Sequence, residues 1–130
     1  MEQWIPATLQ SAVNDGVLAF LGNLSAHGDA ADALVRAVAP LGDVEIFCPD
    51  AAQYRYVAVA TQGVIFGFAV GMDAIGFRLA PEFRDRALAT GAKLCSQAGP
   101  DWVTITLFRH DWPEPDLEFW ARRAYLHARG

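Results

Sequence analysis

Residues 63–79 read GVIFGFAVGMDAIGFRL, four glycines set among large apolar side chains, with no charge before Asp73. So apolar a run must be hidden from water, and few structures can hide it. A membrane-spanning helix needs about 20 predominantly apolar residues, and Asp73 and Arg78 interrupt this run too early. A phosphate-cradling loop needs Gly-Lys-Ser/Thr or G-x-G-x-x-G at a strand-to-helix junction. Neither motif occurs. What remains is the middle of a buried sheet.

The neighbouring residues support that reading. Residues 54–60 (YRYVAVA) are rich in aromatic and β-branched types, as strands are. Thr61-Gln62-Gly63 makes a short turn, with Gly63 suited to a left-handed backbone. Residues 64–70 form a second strand, Gly71-Met72-Asp73 a second turn, and residues 74–79 a third strand. Strict alternation puts Val64, Phe66, Phe68 and Val70 on one face of the middle strand, and Ile65, Gly67, Ala69 and Gly71 on the other. Both faces are apolar, so this strand is expected to be central and covered on both sides.

Helices are expected around the meander. Residues 6–21 repeat apolar side chains at Leu9, Val13, Val17 and Leu21. Residues 30–39 follow, capped by Asp29 and ended by Pro40-Leu41-Gly42. Residues 43–49 read as a short strand. A third helix begins near Pro81 and ends before Gly91. Residues 93–102 read as a loop and 102–108 as a strand. The closing helix carries Glu114, Asp116 and Glu118 at its start and Arg122, Arg123, His127 and Arg129 toward its end, signs that complement the helix dipole. Its apolar stripe is Leu117, Trp120, Ala121, Ala124 and Ala128, which makes Trp120 a core residue. The element order is ααββββαβα. It describes one globular domain over residues 1–130, an α+β fold of two-layer type with a mostly antiparallel sheet flanked by helices.

The stretch from Asp101 to Arg129, DWVTITLFRHDWPEPDLEFWARRAYLHAR, resembles the C-terminal part of the YjbR/MmcQ-like family of small bacterial proteins. The shared cues are a Trp-led strand, an acidic Pro-Glu turn and a closing helix that ends near a Tyr-Leu pair. The likeness extends back to about Tyr54. It implies a CyaY-like α+β fold and, for some members, DNA binding. It carries over no functional residue.

The chemistry-bearing residues are sparse. The net charge of −5 and the pI near 5.0 disfavour a broad nucleic-acid surface. His27, His110 and His127 make no metal or protease spacing, and no cofactor or metal is expected. Cys48 and Cys95 form no C-x-x-C and read as reduced thiols; Lys93, two residues before Cys95, is the one feature that favours a thiolate there. The N-terminus has no secretory signal pattern, so the expected location is cytoplasmic. Arg55, Arg78 and Arg109 each sit on or beside a strand. With His110 they form a candidate ligand-binding set for an anion, should the register bring them together. Trp112 is the candidate interface anchor. The leading expectation is a non-enzymatic binding or interaction domain, with a second copy or another protein as its partner. A DNA-binding domain and a small-ligand protein or enzyme with an anion site are the alternatives.

Overall fold

The computed structural model describes residues 5–22, 24–49, 55–108 and 115–130. After a 3₁₀ turn (Ala7–Leu9), the elements are α1 (Ala12–Leu21), α2 (Gly28–Val38), β1 (Glu45–Phe47), β2 (Val57–Thr61), β3 (Val64–Val70), β4 (Ala74–Arg78), α3 (Pro81–Ala89), β5 (Lys93–Leu94), β6 (Trp102–Thr106) and α4 (Leu117–Ala128). The described strands form one antiparallel sheet in the order β1-β2-β3-β4-β6-β5. The α+β class and the antiparallel meander are those expected from the sequence.

The sheet is covered on both faces. On one, α2 and α4 pack Leu34, Val38, Trp120, Ala121 and Ala124 against Val59, Phe66, Phe77 and Val103. On the other, a thinner cover of the 3₁₀ turn, α1 and the turn after β5 packs Leu9, Val17, Leu21 and Ala98 against Ile65, Phe68 and Trp102. Gly16 in mid-α1 is explained by this contact. A Cβ there would stand 2.7 Å from the Ala98 carbonyl oxygen, so the helix gains a close approach at the cost of some helix propensity.

Strict alternation along β3 does not hold. Val59 pairs with Gly67 but Ala60 pairs with Ile65, so Phe66 is an extra residue and the strand bulges. Phe66 belongs to the core under α2 and α4. A Cβ on Gly67 would meet Val59 and Phe77 on that same side. Phe68 turns to the opposite core. The expected sharing of one face by Phe66 and Phe68 is therefore corrected, and the physical reason is the bulge. Phe68 then lies across β4, where Gly76 is its direct partner. A Cβ on Gly76 would fall 2.1 Å from the Phe68 ring. That ring also packs against Phe20 at 5.5 Å and Trp102 at 5.2 Å between centroids.

Other differences have local causes. The first expected helix divides, because a 3₁₀ turn precedes Ser11, whose extended backbone starts α1. His27, two residues before the expected Asp29 site, caps α2: its Nδ1 accepts the Asp29 N–H at 3.1 Å. Lys93–Leu94, expected in a loop, pairs with β6 as a two-residue edge strand. The β2–β3 turn is as expected, with φ of 52° at Gln62 and 77° at Gly63, the two left-handed positions of a tight hairpin.

Among the described residues, Asn14 of α1 is the one fully buried amide of the thinner core, and it makes three hydrogen bonds. Its Nδ2 donates to the Leu9 and Gly63 carbonyls at 2.9 and 2.8 Å, and its Oδ1 accepts the Ile65 N–H at 2.9 Å. It thereby ties α1 and the preceding turn to the β2–β3 hairpin. At the far end of α4, the Tyr125 hydroxyl donates to the Gly42 carbonyl at 2.7 Å, and Arg129 bonds both Asp43 and the buried Thr61.

Phe66→Ala or Trp102→Ala should cost about 3–5 kcal/mol, the range for deleting a fully buried large aromatic. Gly76→Ala should also destabilise, by about 1–3 kcal/mol, because the Phe68 ring must move. Urea unfolding of the three variants checks this; a loss under about 0.5 kcal/mol for either aromatic would contradict its place in the core.

Candidate functional site

The two described members of the expected anion set are held apart. Arg55 precedes β2 and bridges Ser25. By register it aligns with Gly71 and the β3–β4 turn, whereas Arg78 ends β4 beside Trp102. About five residues of strand separate them along the sheet, on the order of 17 Å. They do not share a site. Arg109, His110 and Trp112 lie outside the described residues.

Arg78 has a different partner. Its Nε stands 3.9 Å from Asp101 Oδ2, and His127 Nε2 stands 3.8 Å from the same oxygen. All three side chains are half-buried. Both separations exceed hydrogen-bond length, so Arg78 and Asp101 form a loose ion pair with the His127 imidazole beside it. Asp101 offsets the Arg78 charge, which leaves it poorly suited to a free anion. Asp101 was not singled out in the sequence because it falls in the stretch 93–102 expected to be a loop.

The opposite end of the sheet is more open. The segment 24–27 crosses the ends of β2 and β3: Leu24 O accepts the Tyr56 N–H, Ser25 O accepts the Gly71 N–H, and His27 N–H donates to Gly71 O. β6 leaves at the same end, where Leu107 N–H donates to Asp73 O at 2.7 Å. A groove of about 590 Å³ lies there, lined by Ser25, Ala26, His27, Gly28, Gly71 and Met72. Met72 is 68% exposed and Phe108 52%, with Leu24 also exposed. Phe108 holds a φ of 58°, a left-handed backbone that bulky residues rarely adopt. The polar handle of the groove is His27. Since its Nδ1 accepts from Asp29, the neutral imidazole carries its proton on Nε2 and can donate from there. The sequence signal for this site was faint: Met72 in a turn and a bare Leu-Ser-Ala-His segment.

The cysteines are free. Cys95 is buried, and burial pushes its thiol pKa up. That overrides the expected help from Lys93, since a thiolate forms least easily where it is desolvated. Asp116 caps α4, its Oδ1 accepting the Phe119 N–H at 3.1 Å; Asp111 and Glu114 of the acidic run lie outside the described residues. Among the described residues no three His, Cys, Asp or Glu side chains gather as a metal site, and no helix is long and apolar enough to cross a membrane.

Tyr56 is a strongly perturbed titratable group. It is fully buried, edge-on to Phe47 at 6.1 Å, and its hydroxyl has no hydrogen-bond partner among the described residues. Burial first, and nearby Cys48 second, push its pKa up to about 12.

No family model, curated protein or solved structure matches the chain.

Tyr56 predicts an alkaline limit. The fold keeps the phenolic proton after the unfolded chain, with a pKa of about 10, has lost it. Stability should be full below about pH 10 and fall between there and about pH 12. Tyr56→Phe should remove that slope and leave stability at pH 7 unchanged or higher, since an unpaired buried hydroxyl is deleted. Urea unfolding at pH 7 and pH 11 measures both effects. A loss above about 2 kcal/mol at pH 7 would show that the hydroxyl is well bonded.

Proposed function

We propose that the chain is a non-enzymatic interaction domain that docks a second copy of itself through the open end of the sheet. The observation that carries this reading is the gathering of exposed apolar side chains, Met72, Phe108 and Leu24, beside the groove at Ser25–Gly28. Large exposed apolar side chains around a concavity mark contact surfaces. A second copy is the simplest occupant, because a two-fold contact buries each apolar group twice and closes on itself. Met72 suits such a role, its flexible thioether adapting to the opposing surface. The backbone strain at Phe108 adds support, since strained residues concentrate where function holds them. We place the protein in the cytoplasm, a reading supported by its two free thiols.

The acidic net charge weighs against the DNA-binding reading that the YjbR-like resemblance brings.

Sedimentation and native mass spectrometry across micromolar concentrations test the proposal. The expected result is a dimer of bare chain mass, converted to monomer by Met72→Asp combined with Phe108→Asp with folding retained. A wild-type protein that stays monomeric at every concentration overturns it, as does a dimer that the double variant leaves intact.

A further inference from the structure

We infer that the surface between α3 and α4 is a binding site for a small phosphate monoester, held by Arg86 and Arg123. Each helix contributes one phenyl ring and one arginine at helical spacing: Phe83 and Arg86 from α3, Phe119 and Arg123 from α4. The rings meet edge to face with centroids 6.4 Å apart. Both guanidiniums sit against this one ring pair. Cζ of Arg123 is 4.6 Å from the Phe83 centroid and 5.2 Å from that of Phe119, and Cζ of Arg86 is 5.2 and 5.8 Å from the same two points.

Two like charges brought to one place repel each other, and a fold with no use for them separates or neutralises them. Here no described residue neutralises either. Among the described residues, neither Arg86 nor Arg123 has a carboxylate within ion-pair distance, whereas Arg84 has Asp85, Arg78 has Asp101 and Arg129 has Asp43. Glu82, one turn before Arg86, and Glu118, beside Phe119, are not paired with them either. In a chain with 15 acidic and 10 basic residues, a carboxylate partner would be easy to supply. Arg123 adds an independent sign. Its Nε is buried with no hydrogen-bond partner among the described residues, a donor left unsatisfied by them.

The chemistry of the ligand follows. A guanidinium that lies on a ring uses its face for the ring and keeps its in-plane N–H edge for an anion. Two such edges donate from two directions and carry two positive charges, which a single carboxylate with one negative charge leaves half balanced. The three oxygens and double negative charge of a phosphate monoester match them better. The aromatic stack fixes both arginines in advance, which lowers the entropy lost on binding. This site is separate from the open sheet end, so it stands or falls independently of the self-association proposed above.

The test is an NMR titration of the full chain with inorganic phosphate at low ionic strength, following the side-chain Nε–H resonance of Arg123 and the backbone amides of α3 and α4. Saturable shifts confined to that surface are expected. Arg86→Gln, an exposed position that leaves the fold intact, should weaken binding on the order of tenfold or more. Arg123→Gln should do the same, and Arg122→Gln should leave binding unchanged. Succinate should bind much more weakly than phosphate. Linear, unsaturated shifts would overturn the inference. So would an Arg122→Gln effect equal to that of Arg86→Gln, which would mean diffuse surface charge, or equal binding of succinate, which would remove the preference for phosphate.

Discussion

A strand buried on both faces has to deliver bulk to two cores at once, and the bulge in β3 is how this chain does it. Opposite Val59, β3 spends two residues, Phe66 and Gly67, on the same side. Phe66 fills the space under α2 and α4, and the phase change sends Phe68 to the other face. Without the extra residue both rings would crowd one core, and the face under α1 would have only small residues from β3 beyond Ile65. The empty Gly76 position completes the arrangement, because the Phe68 ring lies flat where a Cβ would otherwise stand.

The thinner cover depends on that placement. α1 touches the sheet mainly through Val17, Leu21 and Phe20, the last against the Phe68 ring. Hydrophobic contact is non-directional, so it leaves the helix free to slide. Asn14 removes that freedom. Its three hydrogen bonds reach the preceding turn, the hairpin turn at Gly63 and β3 at Ile65, and a buried amide satisfied so fully has one position in which it is not penalised. The bulge sets where Ile65 N–H points, and Asn14 reads that position. Register and helix placement are thus coupled.

Much of the scaffold was legible in the sequence because its signals are local. The hairpin turn at Gln62-Gly63, the Pro81 start of α3 and the Trp120 stripe of α4 each follow from a few neighbouring residues. The bulge was not legible, since VIFGFAV alternates equally well without it and only the pairing with Val59 and Ala60 reveals the extra residue. The β5 edge was hidden for a related reason. Two residues carry no period, and their pairing with Val103 and Thr104 is a tertiary fact. The arginines show the same limit. Arg55 and Arg78 both lie beside strands, but antiparallel register carries them to opposite ends.

Function was harder to read because the informative contacts join distant segments. Arg86 and Arg123 are 37 positions apart in a chain whose other basic residues look just as solvated, and nothing in RDRA or WARRA distinguishes them. What distinguishes them is the pair of rings beneath. Phe83 and Phe119 both pack against the core under α2 and α4. Their outer surfaces hold two guanidiniums in fixed positions without a carboxylate from the described residues to balance them. A surface arginine pair on flexible stems would simply drift apart, at little cost in water. The aromatic stack opposes that drift, so the positive charge stays concentrated on a protein that is otherwise acidic. Such a contrast between local and overall charge selects against large polyanions, which meet the whole surface, and favours a small anion that meets only this part of it.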